Sequence, residues 1–208
     1  MPALFESLSF RRGPAMKNRF MLAPLTNQQS HADGVLSDDE FRWLTMRAEG
    51  GFGLTMTCAA SVQDGGQGFP GQLGAHDDRH IPGLARLASA LRAQETHAVL
   101  QLHHAGMRSP ATLIGRQPLC PSANAETNAR AMTLAEIEQT RDDFIAAARR
   151  CERAGFDGVQ LHGAHGYLLC QFLSPEINRR DDQYGGSLEN RSRLLFEIID
   201  GVRASCGP

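Results

Sequence analysis

The stretch DGVQLHGAHGYLL, residues 157–169, begins as a short apolar run and ends with two histidines and a tyrosine. Residues 157–162 are apolar along most of their length, as expected for a parallel strand that is covered on both faces. Gly163 and Gly166 stand beside the histidines. The stretch therefore predicts a strand with polar groups at its carboxyl end, which is where parallel α/β folds place their sites.

The same pattern of apolar strand, polar loop and amphipathic helix occurs four times along the chain. The predicted strands are residues 20–25, 53–58, 98–102 and 157–162. Strands that alternate with helices form a parallel sheet with right-handed crossovers, so the fold class is α/β. Four such units leave two sheet edges open, which fits either a small open sheet or half of a structure that closes.

Local capping signals mark where the helices begin. Ser37 with Glu40, and Thr133 with Glu136, have the spacing of capping boxes, and Ser187 marks the start of the last helix. The apolar stripes expected to face the core are, on the second helix, Leu84, Leu87, Ala88 and Leu91, and on the fourth helix, Leu188, Leu195, Ile198, Ile199 and Val202.

Two segments interrupt this pattern. Residues 8–18 contain Gly13 and Pro14 and are expected to form a hairpin before the first strand. Residues 103–132 follow the third strand as a long loop without periodicity, and loops of that length are usually functional or mobile.

Composition restricts the class of function. The 208-residue chain is 41% apolar and 21% charged with a net charge of −2, which gives no electrostatic reason to expect nucleic acid or a membrane as partner. No apolar stretch approaches the roughly 20 residues that span a bilayer, and residues 1–12 lack the apolar core of a signal peptide. Five scattered cysteines favour reduced thiols and a cytoplasmic protein. No GxGxxG follows the first strand, so a dinucleotide-binding fold has no support.

The carboxyl ends of parallel strands meet at one edge of a sheet, so polar residues that follow different strands are expected to come together. These residues are Thr26, Asn27, Gln101, His103, His104, His162, His165 and Tyr167. The second strand instead ends in Ala59 and Ala60, which leave space for a flat ligand to lie against the backbone.

The two histidines at the end of the fourth strand allow three interpretations. They are structural histidines, or they are metal ligands with His103 or His104 as a third ligand, although no acidic residue stands beside either pair. In the third interpretation they are neutral imidazoles that donate hydrogen bonds to an oxyanion, with Tyr167 as a proton source. Residue types and spacing leave all three open.

Three blocks of sequence, in order along the chain, match one known family. KNRFMLAPLT (17–26), LQLHHAG (100–106) and GFDGVQLHGAHGYLLCQFLSPEINRRDDQYGGSLENR (155–191) resemble the old yellow enzyme family of FMN-dependent ene-reductases, a group of NADH:flavin oxidoreductases. The family fold is an eight-stranded TIM barrel. The resemblance implies that residues 1–208 are the N-terminal part of a single FMN-binding TIM-barrel domain, namely its first four βα units and an N-terminal hairpin.

The resemblance also implies a chemistry and the residues that perform it. Family members bind FMN, NAD(P)H reduces the flavin, and hydride then passes from flavin N5 to the β-carbon of an activated alkene such as an enone. The implied FMN-binding residues are Ala23, Pro24, Leu25, Thr26, Ala59, Gln101 and His162. His162 and His165 match the pair that binds the carbonyl oxygen of the α,β-unsaturated substrate, and Tyr167 matches the proton donor to the α-carbon. The implied site uses no metal.

Departures from the family pattern bear on these expectations. Met107 stands where members often carry Arg, with Arg108 one place later, and Gln28 stands where some relatives place an aromatic residue. The fifth to eighth strands, which supply the phosphate-binding loops of the family, lie outside the match. Two alternatives stand beside the ene-reductase: a non-catalytic half-barrel fragment that covers its open edges as a homo-oligomer, and a metal-dependent hydrolase that uses His162 and His165.

Overall fold

A four-stranded parallel sheet forms the centre of the protein in a computed structural model that describes residues 3–11 and 13–207. The strands of this part of the chain are, in order, β1 (Met21–Leu22), β2 (Leu54–Ser61), β3 (His97–His103), β4 (Leu119–Cys120), β5 (Arg130–Ala131) and β6 (Gly158–Leu161). The parallel sheet has the order β1-β2-β3-β6. The four predicted strands are therefore confirmed, with β1 and β6 shorter and β2 and β3 longer than predicted.

Helices connect the parallel strands. The helices of the described residues are α1 (Asp38–Glu49), α2 (Ile81–Arg92), α3 (Ala111–Ile114), α4 (Leu134–Arg153), α5 (Leu168–Leu173) and α6 (Leu188–Ser205). Ser37 caps α1 by accepting a hydrogen bond from the backbone N–H of Glu40, whereas Thr133 and Glu136 form the complete capping box of α4. None of these described helices is long and apolar enough to cross a membrane.

The capping-box prediction for α1 was half wrong, because the side chain of Glu40 turns into the core. Glu40 is fully buried and accepts hydrogen bonds from the hydroxyl of Ser30 and the thiol of Cys58, whose Sγ lies 2.6 Å from Oε1. Burial raises the pKa of Glu40, although the hydrogen bonds from Cys58 and Ser30 oppose the rise. The carboxyl group therefore joins α1 to β2 and to the loop that follows β1.

Alternate residues of β3 point to opposite faces of the sheet. Ala98, Leu100 and Leu102 belong to the hydrophobic core, and α2 and α4 pack against this strand. Gln101 points to the other face, where it is the register partner of Gln160 on β6. This glutamine pair lies on the face of the sheet that carries the candidate site.

The predicted buried stripe is confirmed for α2 and partly wrong for α6. The three leucines and Ala88 of the α2 stripe are at most 1% exposed. On α6, Leu194 and Ile198 are fully buried, whereas Leu188 is 64% exposed. Leu188 is the first residue of α6, at the end of the helix rather than on the face that packs against α4 and α5. The remaining stripe residues are partly buried: Leu195, Ile199 and Val202.

Both segments that interrupt the strand–helix pattern contain paired backbone. Leu8 and Met16 form an antiparallel bridge with two hydrogen bonds of 2.9 Å, which is the pairing that the described part of residues 8–18 shows for the expected hairpin. Arg12 lies outside the described residues. Residues 103–132 were expected as an irregular loop, but they contain a 3-10 turn, α3, and β4 paired in parallel with β5.

Candidate active site

A cavity of about 530 Å³ opens where the parallel strands end. It is lined by Ala23, Pro24, Leu25, Thr26, Ala59, Phe69, Gln101, Gln160, Leu161, His162, Gly163, Ala164, His165 and Tyr167. The structure thus brings together every residue that the resemblance assigned to FMN or substrate. Among these described lining residues there is no acid, lysine or arginine, and the wall combines polar, aromatic and small apolar side chains.

Five lining residues were not among the site residues expected from the sequence: Phe69, Gln160, Leu161, Gly163 and Ala164. Gln160 lies beside Gln101, whose Nε2 donates a hydrogen bond of 2.6 Å to Oε1 of Gln160. The period of two along a strand places Gln160 on the same face as His162, and this signal could have identified it. Phe69 lies in the loop after β2, where no periodic pattern marks it.

The turn after β6 directs three side chains toward the cavity. The N–H of His162 bonds the carbonyl oxygen of Leu102 at 2.9 Å, which continues the strand pairing. His165 and Gly166 then adopt left-handed backbone conformations, with φ of +56° and +68°, which are uncommon for a residue with a β-carbon. As a result, the ring centroid of His162 lies 5.1 Å from that of His165 and 4.9 Å from that of Tyr167.

The imidazole of His162 is a neutral hydrogen-bond donor. The N–H of Ala164 donates to Nδ1 of His162 at 3.3 Å, so Nδ1 is the acceptor and the ring hydrogen is assigned to Nε2. Burial, and then the proximity of His165, lowers the pKa of His162. At neutral pH the ring is therefore uncharged, and its Nε2–H can bond an oxygen in the cavity.

A cation reaches this turn from the loop after β3. The guanidinium of Arg108 donates to the carbonyl oxygen of His165 at 2.6 Å and lies 5.1 Å from the centre of the Tyr167 ring. Met107 instead points its sulfur toward Cys120, with 3.7 Å between the two sulfur atoms. Arg108 therefore holds the left-handed turn and places a positive charge within cation–π range of Tyr167.

The other two histidines predicted for this edge lie behind the cavity. His103 is fully buried, and its ring centroid is 4.3 Å from that of Tyr167 and 5.3 Å from that of His162. His104 bonds Oε1 of Gln63 through Nε2 at 2.9 Å, and burial lowers the pKa of His104 to about 4. Among the described residues, no group of three or more His, Cys, Asp or Glu side chains is placed to hold a metal ion.

The loop after β1 delivers Thr26 to the cavity and turns the next residues away. Asn27 accepts a hydrogen bond of 3.3 Å from the N–H of Gln29 and is absent from the lining. Gln28 is exposed, with a left-handed φ of +53°. Ala60, at the end of β2, is buried in the hydrophobic core. Of the polar residues predicted after the first strand, Thr26 is therefore the one that faces the cavity.

Nearly the whole chain matches one protein family. The model of the NADH:flavin oxidoreductase / NADH oxidase family matches residues 3–208. The chain belongs to this family. Its members use FMN as cofactor, and the recognition that was based on three sequence blocks is confirmed.

Individual members of the family agree with this assignment. A probable NADH-dependent flavin oxidoreductase of Bacillus subtilis is 41% identical over 204 residues, which cover 96% of this chain and 55% of that protein. An old yellow enzyme homologue from Zymomonas mobilis aligns with a TM-score of 0.91 at 34% identity, over 98% of this chain and 60% of the other. Morphinone reductase in complex with tetrahydroNAD aligns with a TM-score of 0.91 at 32% identity, over 100% of this chain and 62% of the other. The chain spans little more than half the length of these relatives, and its fold is the corresponding part of their TIM barrel.

Proposed function

We propose that this chain is the N-terminal part of an FMN-dependent ene-reductase and that residues 1–208 belong to a single barrel domain. The observation that carries the proposal is the composition of the cavity. The small side chain of Ala59 lines one part of the cavity. The imidazoles of His162 and His165 and the phenol of Tyr167, which all come from the turn after β6, line another part. The proposed activity is that of the complete barrel, to which this chain contributes one wall and the groups that handle protons.

The cavity fits the isoalloxazine ring of FMN. Its volume of about 530 Å³ lies within the range of small-molecule sites. The hydrogen bond between Gln101 and Gln160 leaves Oε1 of the first and Nε2 of the second for the polar edge of a ring. The residues that would hold the ring are Ala23, Pro24, Leu25, Thr26, Ala59, Gln101 and His162. The chemistry that bound FMN supplies is hydride transfer from NAD(P)H to the β-carbon of an activated alkene.

His162 and His165 are the residues proposed to bind the carbonyl oxygen of the substrate. His162 offers its Nε2–H, and the ring of His165 lies beside it on the exposed side of the same turn. No acidic side chain among the described lining residues competes for these donors. Donors placed where negative charge develops on oxygen stabilise a transition state by about 3 kcal/mol each. The pair therefore favours a substrate whose double bond is conjugated to a carbonyl group.

Tyr167 is the proposed proton donor to the α-carbon. Its O–H bond breaks as the new C–H bond forms, the electron pair of that O–H bond stays on the phenolic oxygen, and water later returns the proton. The guanidinium of Arg108, 5.1 Å from the ring centre, stabilises the negative charge that this step leaves on Tyr167. These contacts support a role for Tyr167 as an acid whose conjugate base is stabilised.

Flavin titration and turnover test the proposal together. We expect the complete barrel that contains residues 1–208 to quench the fluorescence of added FMN at one equivalent per chain and, once loaded, to oxidise NAD(P)H when 2-cyclohexenone is present. Unchanged flavin fluorescence would contradict the proposal. If the 208-residue chain runs as a dimer in size-exclusion chromatography and does not bind FMN, the alternative of a non-catalytic half-barrel is supported.

A further inference from the structure

His103 lies at the centre of the ring contacts behind the cavity. It is the last residue of β3 and is fully buried. Its ring meets that of Tyr167 at an interplanar angle of 82° and that of His162 at 62°, while the rings of His162 and Tyr167 meet at 86°. Each ring thus packs edge-on against the other two, an arrangement that aromatic groups favour. A substitution at His103 is therefore expected to alter the packing of both Tyr167 and His162.

Gln72 determines which nitrogen of His103 carries the hydrogen. Oε1 of Gln72 accepts a hydrogen bond of 2.7 Å from the N–H of Gly68, which identifies the other end of the amide as its NH₂ group. That NH₂ group lies 3.0 Å from the carbonyl oxygen of Ala59 and 3.0 Å from Nδ1 of His103. Since Nδ1 must accept, the ring is the Nε2–H tautomer.

The Nε2–H of His103 is buried, and within the described residues it has no hydrogen-bond partner. Burial, and then the proximity of His162 and His104, lowers the pKa of His103 well below its usual value, so the ring is neutral. Buried donors are paired in the great majority of cases. An unpaired N–H donor beside Tyr167 is therefore an exception that a function can explain.

We propose that Gln72 and His103 are positioning residues, which hold Tyr167 and His162 in place and keep one N–H donor for the negative charge that forms on Tyr167. The role of this N–H donor toward Tyr167 rests on the proposed function. When the proton of Tyr167 moves to the α-carbon, the phenolic oxygen keeps the electron pair of the broken O–H bond. The Nε2–H of His103 lacks a partner in the resting site, and the partner we assign to it is the phenolate of Tyr167, whose ring centroid lies 4.3 Å from that of His103. His103 acts through Tyr167 and does not line the cavity.

Nitrogen-15 NMR of the protein labelled at histidine tests, without flavin, whether Gln72 fixes the tautomer of His103. We expect His103 to show an unprotonated Nδ1 and a protonated Nε2 at pH 7. Gln72→Leu should remove the tautomer preference. An Nδ1–H tautomer, or the same tautomer in Gln72→Leu, would overturn the inference. The NMR measurement reads the tautomer of His103 and does not depend on whether the protein binds FMN or reduces alkenes.

Reduction of the flavin by NAD(P)H and reduction of the alkene, measured separately on the FMN-loaded protein, test whether His103 supports the proton donation by Tyr167. We expect His103→Leu to slow reduction of 2-cyclohexenone about tenfold while leaving reduction by NAD(P)H within about twofold. His103→Gln, which keeps an N–H donor at the end of the side chain, should recover part of the loss. His97→Leu, at the opposite end of β3, is the matched control and should leave both rates unchanged. Equal losses in both half-reactions, or no recovery with His103→Gln, would overturn the inference.

Discussion

Gln101 on β3 and Gln160 on β6 are register partners, and the Nε2 of Gln101 donates a 2.6 Å hydrogen bond to the Oε1 of Gln160. This pairing leaves Oε1 of Gln101 and Nε2 of Gln160 free for the proposed contact with FMN. Gln160→Leu should weaken FMN binding about tenfold, because it removes one ligand donor and leaves the N–H group of Gln101 without its acceptor. Fluorescence quenching measures the affinity. Gln94→Leu, at an exposed glutamine, is the control, and an equal effect of both variants would contradict the prediction.

Tyr167→Phe separates proton donation from flavin reduction. The substitution removes the hydroxyl group and keeps the ring that packs against His103 and Arg108. We expect alkene reduction to slow about a hundredfold and reduction of the flavin by NAD(P)H to be spared. Stopped-flow absorbance of the flavin follows both steps. Tyr184→Phe provides the control, since Tyr184 is buried away from the cavity and bonds Glu197. If Tyr167→Phe slows both steps equally, Tyr167 is not the proton donor.

Glu40→Ala should cost about 3 kcal/mol of unfolding free energy, because Ser30 and Cys58 would lose their buried acceptor. Asp39→Ala changes the neighbouring acid on the exposed side of the same helix turn and should cost under about 0.5 kcal/mol. Urea denaturation of both variants measures the difference. Equal costs would mean that the buried carboxyl group contributes no more than its exposed neighbour.

Glu136 should make stability depend on pH in the acid range. Its hydrogen bonds to Arg130 lower the pKa of Glu136 to about 2 from an ordinary value of 4.5, so the stabilisation is complete above pH 4.5 and is lost as pH falls toward 2. Both side chains are partly exposed, and water screens the pair to about 1 kcal/mol. Glu136→Gln keeps the capping geometry and removes the charge. Thermal unfolding should show it less stable at pH 7, with the difference shrinking below pH 4.5. A constant difference across this range would contradict the assignment.

Local signals predicted most of the secondary structure. The N-caps at Ser37 and Thr133 depend on residues three positions away and are confirmed, although the reciprocal bond of the capping box forms at Thr133 and not at Ser37. The inward turn of Glu40 could not be predicted in this way, because its partners Ser30 and Cys58 are 10 and 18 residues distant in sequence. Their approach is set by the packing of α1 on β2, which no local pattern specifies.

The candidate site was predictable to different degrees. Strand ends indicated which residues share an edge, but they did not separate His162, which lines the cavity, from His103 and His104, which lie behind it. Side-chain direction after a strand depends on the turn that follows, and the left-handed conformation of His165 has no sequence signature. The assignment of roles came from the resemblance to a family, whereas spacing alone left three interpretations open.

In the proposed reaction, hydride reaches the β-carbon of the alkene, and a proton exchangeable with solvent, carried by Tyr167, reaches the α-carbon. The origin of this proton can be measured by reducing 2-cyclohexenone with the FMN-loaded protein in deuterated water and recording the NMR spectrum of the product. We expect solvent deuterium at the α-carbon of the product. A product without deuterium at the α-carbon would show that the proton does not come from a group that exchanges with solvent.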